Sequence, residues 1–160
     1  MKKSICLLLI FVLLFACANP VLAAENGLEI NAKSYILVEG YSGDVLAAGN
    51  ENEKQYPAST TKIMTLVLAL EAVNDGKVSL EDTVTTSENA ANMGGSQVYL
   101  YTGELRMLDE MLVAVAVGSG NDASVAVAEF IGGSESAFVD MMNEKAAELG
   151  MSNTQFANPH

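Results

Sequence analysis

Ser59 stands three residues before Lys62 in Y-P-A-S-T-T-K-I-M-T (56–65), at the head of a long apolar run. On a helix, that spacing puts both side chains on one face with Cβ atoms about 5–6 Å apart, close enough for an amine to reach a hydroxyl. A lysine accepts a serine proton only when it is neutral, and burial of the ammonium lowers its pKa toward that state. A serine at a helix start also has backbone N–H groups nearby that can hold a developing oxyanion. These are the ingredients of an activated nucleophile. A capping serine followed by a surface lysine has the same spacing, so spacing alone leaves both readings open.

A second polar feature, Gly118-Ser119-Gly120-Asn121-Asp122, is wedged between two apolar segments. In an extended backbone, residues two apart face the same way, so Ser119 and Asn121 are expected to offer a hydroxyl and a carboxamide to one cleft. The competing reading is a helix connector in which the glycines turn the chain and Ser119 or Asn121 caps the next helix.

Other chemistries are removed by arithmetic. Both cysteines, Cys6 and Cys17, lie in the first 23 residues, and the one histidine is His160. Past residue 23 there is no thiol for a disulfide, a nucleophile or a thiolate metal site, and a histidine ligand set is disfavoured. Acid and base work falls to Lys, Tyr, Asp or Glu; no metal and no organic cofactor is expected. Two of the 8 basic residues, Lys2 and Lys3, also lie in that first segment, while all 20 acidic residues follow it, so residues 24–160 carry −14 against −12 for the whole. Such a surface repels nucleic acid.

That first segment reads as an export signal. Lys2 and Lys3 are followed by an apolar core, Cys6 to Phe15, and by V-L-A ending at Ala23, a small-residue cleavage site. The apolar core is shorter than the roughly 20 residues a bilayer span needs. A lipoprotein signal ending at Cys17 is the lesser reading, because Phe15 fits its box poorly. The protein is therefore expected outside the cytoplasm, with residues 24–160 forming the folded part.

The elements that must position the chemistry follow from pattern. Ser34–Glu39 and Val45–Ala48 read as strands joined through G-Y-S-G-D, an antiparallel hairpin. Thr60–Asn74 is apolar on nearly every side, which predicts a helix buried all round, ended by Asp75-Gly76. Thr85 and Glu88 have capping-box spacing for a short helix through Met93. Leu105, Leu108, Met111, Leu112 and Val115 predict a helix from Gly103 or Glu104 to Val117. Further helical segments are expected over Asp122–Ile131 and Ser136–Leu149. A hairpin first and helices after it point to an α+β fold.

S-T-T-K, the S-G-N turn about sixty residues on, G-G-S-Q-V-Y-L (94–100) and the ending N-E-K-A-A-E-L-G-M-S-N-T-Q-F-A-N-P-H together resemble the low-molecular-mass penicillin-binding proteins, serine D-alanyl-D-alanine carboxypeptidases of peptidase family S11. The resemblance runs from about Ala32 to His160. It implies the amino-terminal hairpin and helical part of a β-lactamase/transpeptidase-like (DD-peptidase) fold. It further implies that Ser59 attacks the amide between the terminal D-alanines of a peptidoglycan stem peptide and that Lys62 takes its proton. Ser119 would relay a proton to the leaving D-alanine, and Asn121 would bind the substrate amide and help hold Lys62. β-Lactam antibiotics would acylate Ser59 as mimics of the dipeptide.

The K-T-G element of that family is not among these residues: the lysines are at 2, 3, 33, 54, 62, 77 and 145, and none precedes Thr-Gly or Ser-Gly. The expectation is a truncated catalytic domain over 24–160, active as a longer protein and inactive as this piece. Membrane association through a carboxy-terminal anchor beyond His160 is left open. The rival readings are a D,D-endopeptidase, a class A β-lactamase, which would carry S-D-N where this chain has S-G-N, and a non-catalytic exported wall-binding module.

Overall fold

Residues 30–160 are described by a computed structural model; the segment read as an export signal, 1–23, lies outside the described residues. The chain divides into two units, one up to Gln55 and one over Tyr56–His160.

In the first unit, β1 (Tyr35–Val38) and β2 (Val45–Gly49) form the predicted antiparallel hairpin, with Tyr35 opposite Gly49 and Leu37 opposite Ala47. The register slips between Leu37 and Val38, so Val38 faces Val45. Its turn is closed by the Glu39 carboxylate, which accepts backbone N–H groups of Tyr41 and Ser42. Ile36, Leu37, Val38, Val45 and Leu46 are all exposed.

The second unit is built around five helices: α1 (Lys62–Asn74), α2 (Glu88–Ala91), α3 (Leu108–Ala116), α4 (Asn121–Gly132) and α5 (Glu135–Glu148). It also has a two-stranded antiparallel sheet of β3 (Thr83–Thr85) and β4 (Leu105–Met107), with Val84 opposite Arg106. The α+β class holds, but this second sheet is a departure from the helix expected from Gly103 onward. Leu105 and Met107 are exposed and pair with T-V-T; the helical spacing carries weight only from Leu108. The cap before α2 also differs. Thr85 ends β3, and the Ser87 hydroxyl caps the helix by accepting the Ala90 N–H.

The helix buried on all sides is α4, where every residue from Asp122 to Ala128 is buried. The sequence pattern predicts that role for α1. There Met64, Thr65, Leu68, Ala69 and Ala72 are buried, while Ile63 and Leu70 are exposed. The physical reason is side-chain size: Ala123, Ser124, Ala126 and Ala128 let neighbouring helices close on α4. One cluster joins Ala69 of α1, Met111, Leu112 and Val115 of α3 and Val125 and Val127 of α4; a second joins Met64 and Leu68 to Phe138 and Met142 of α5. Each fully buried aliphatic side chain contributes about 1.5–3 kcal/mol, so α4 is the fixed beam against which α1 is set. No helix among the described residues is long and apolar enough to cross a membrane.

Candidate active site

Ser59 lies in a 3-10 turn, Ala58–Thr61, that runs directly into α1. Pro57 starts the turn: its carbonyl accepts the Thr60 N–H at 3.2 Å and the Thr60 hydroxyl at 2.7 Å. Ala58, immediately before Ser59, has φ +50°, a left-handed conformation that costs a residue with a Cβ about 1 kcal/mol or more. The serine is thus held at the solvent-facing end of a strained turn.

Lys62, the first residue of α1, is only 3% exposed. Its Nζ lies 3.3 Å from Ser59 Oγ and donates to Asn121 Oδ1 at 2.7 Å. Burial pulls its pKa below the ordinary lysine value. Two helix N-termini, those of α1 at Lys62 and α4 at Asn121, meet here, and their partial positive charge disfavours an ammonium in the same direction. A lysine in this setting can act as a base toward the serine hydroxyl.

Asn121 is reached through a turn that differs from the extended one expected. Ser119 has φ +52°, and Gly120 precedes the first turn of α4 without a side-chain cap from either Ser119 or Asn121. The flanking glycines are fixed by crowding. A Cβ at Gly118 would sit 2.8 Å from both the Ala114 carbonyl and Val98 Cγ1, and one at Gly120 would sit 2.8 Å from Asp122 Oδ1. The structure therefore brings Ser59, Lys62 and Asn121 together directly. Ser119 is half-buried in the same turn, and among the described residues its hydroxyl makes no hydrogen bond with Ser59 or Lys62.

Several supporting residues escaped the sequence reading. The buried Asp122 carboxylate accepts the N–H groups of Val98, Leu100 and Ala123 at 2.9–3.2 Å, which fastens the 94–100 segment under the S-G-N turn. Asn121 is tied to that segment twice: its backbone N–H donates to Ser96 O and its Nδ2 to Gly94 O, each at 2.7 Å. Its acidic position in the first turn of α4 was the available signal for Asp122. Nothing local pointed to its targets more than twenty residues earlier. The N-P-H ending also comes to α1: the buried Thr65 hydroxyl donates to Pro159 O at 2.6 Å. Burial, and then the Lys62 charge, lower the pKa of His160. No cluster of three or more metal-ligating side chains occurs among the described residues.

The D-alanyl-D-alanine carboxypeptidase family, peptidase S11, matches residues 20–160. The chain belongs to this family. It is 50% identical to the D-alanyl-D-alanine carboxypeptidase DacF of Bacillus subtilis, in an alignment covering 99% of this chain and 42% of that protein. The crystal structure of the D-alanyl-D-alanine carboxypeptidase DacD from Francisella tularensis superposes with a TM-score of 0.79 at 39% identity, covering 82% of this chain and 32% of the other. Penicillin-binding protein D2 from Listeria monocytogenes, solved in an ampicillin-bound form, superposes with a TM-score of 0.72 at 25% identity over 82% of this chain and 53% of that one. The DD-peptidase fold expected from the motifs is the fold of these neighbours, of which this S11 chain spans about a third to a half.

Proposed function

We propose that the full-length protein containing this chain is a serine-type D-Ala-D-Ala carboxypeptidase acting outside the cytoplasm on peptidoglycan stem peptides. The observation that carries the reading is a buried lysine amine 3.3 Å from an exposed serine hydroxyl and oriented by Asn121 at 2.7 Å. Ser59 Oγ attacks the carbonyl carbon of the amide joining the last two D-alanines as its proton passes to Lys62 Nζ. The C–N bond then breaks, and the leaving amine takes a proton relayed through Ser119, releasing D-alanine. Water attacks the remaining ester on Ser59, and the hydroxyl is restored. Asn121 holds Lys62 through Oδ1 and presents its carboxamide to the substrate. A penicillin acylates Ser59 by the same attack on its strained amide.

The β-lactamase alternative is disfavoured at one position: S-D-N needs a side chain at residue 120, where a Cβ would already meet Asp122 at 2.8 Å. A non-catalytic module has no need of a buried lysine beside a serine. The 160 residues contain no K-T-G, and turnover is assigned to the longer protein, with the 160-residue piece inactive by itself. The test is a fluorescent penicillin together with D-alanine release from a diacetyl-Lys-D-Ala-D-Ala peptide. Labelling at Ser59 and peptide hydrolysis by the full-length protein are expected. Absence of both overturns the function, and stable labelling of the isolated piece overturns its inactivity.

A further inference from the structure

A carboxamide can face Lys62 in two ways, and only one of them helps. With Oδ1 toward the amine, one Lys62 N–H is engaged and the amine lone pair can face Ser59; with Nδ2 toward it, two donors oppose each other. The structure shows the first arrangement, and what enforces it lies outside S-x-x-K and S-G-N. Asn121 Nδ2 donates to the carbonyl of Gly94 at 2.7 Å while Oδ1 accepts from Lys62. The next residue, Gly95, has φ +82°, and a Cβ there would stand 2.7 Å from Asn121 Nδ2. At Gly94 a Cβ would meet nothing within 4 Å. The two neighbouring glycines therefore differ: only the second borders the carboxamide and has the left-handed backbone.

We propose that the Gly94-Gly95 turn is a positioning device for catalysis, which fixes the face of Asn121 turned to Lys62 by accepting its N–H and leaving the space beside it empty. This rests on the reading of Lys62 as the base. A side chain at position 95 pushes Asn121 Nδ2 off the Gly94 carbonyl and withdraws Oδ1 from Lys62. The amine then loses both its orientation toward Ser59 and an acceptor that favours its charged form.

The test is penicillin acylation of the full-length protein across pH, for wild type, Gly95→Ala and Gly95→Asn. Asparagine tolerates the left-handed backbone better than alanine and carries the same Cβ, so it keeps the test open where the alanine variant fails to fold. Gly103→Ala is the control, because Gly103 has the same φ of +82° with nothing within 4 Å of its Cβ position. At position 95, acylation slows roughly tenfold to a hundredfold, and the acid limb of its pH profile moves to lower pH. Gly103→Ala loses stability but acylates within roughly twofold of wild type. Unchanged rate and pH profile in both position-95 variants overturns the proposal, as does equal slowing by Gly103→Ala. A wild-type protein that is not acylated overturns the assigned function, and this inference with it.

Discussion

Ala58 and Ser119 adopt nearly the same left-handed backbone, φ +50° and +52°, each in a turn that leads into a helix of the site. The two turns are held very differently. Around Ser59 the bonds are local, running from Thr60 back to Pro57, and among the described residues the link to another part of the chain passes through Lys62. Around Asn121 the turn is moored to a distant segment by hydrogen bonds from Asn121 to Gly94 and Ser96 and from Val98 and Leu100 to Asp122. The proposed nucleophile is thus on the side held by few hydrogen bonds, and Asn121, which holds the proposed base, is on the side held by many. A nucleophile has to change bonding partners during the reaction; the reference that aims the base must stay still.

Substitutions on each side test that division. Ser59→Ala, on the light side, removes penicillin labelling entirely and leaves the melting temperature of the full-length protein unchanged, since Ser59 is exposed and its hydroxyl is hydrogen-bonded, among the described residues, to Lys62 alone. Lys62→Met lowers acylation by about 10²–10⁴-fold and removes the pH dependence that this lysine gives to stability, measured by urea denaturation. The sign follows from the lowered lysine pKa. Between the folded pKa and the ordinary lysine value the unfolded chain holds the proton that the folded chain has released, so wild-type stability rises with pH across that window. The methionine variant lacks that slope. Asp122→Ala, on the rigid side, leaves the Val98 and Leu100 N–H groups without their acceptor and costs about 3 kcal/mol, with acylation falling as Asn121 loses its mooring. Equal loss of stability from Ser59→Ala would break the contrast. The smallest effect is Ala58→Gly, which relieves the left-handed backbone and stabilises by at most about 1 kcal/mol in the same denaturation experiment.

Legibility in the sequence follows the same division. Ser59 and Lys62 are three residues apart in one continuous helical start, so local geometry alone sets their meeting. Lys62 and Asn121 are 59 residues apart, and only the closing of α1 on α4 joins them. Placing Ser119 and Asn121 on one extended face failed because glycines on both sides let Ser119 take a left-handed turn. The hairpin was readable from two β-rich runs and a glycine turn, whereas β3 and β4 are three residues each and carry no period of their own. Long apolar side chains drew attention to α1 as the central helix. Packing instead favoured the small residues of α4, a preference that belongs to the space between helices and is absent from hydrophobicity.

The hydrogen bond from Thr65 to Pro159 spans 94 residues. It closes a loop around nearly all of the helical unit, and the entropy cost of closing such a loop grows only slowly with its length. Thr65 is one turn along α1 from Lys62, so the helix that carries the lysine is tied at that point to the N-P-H segment.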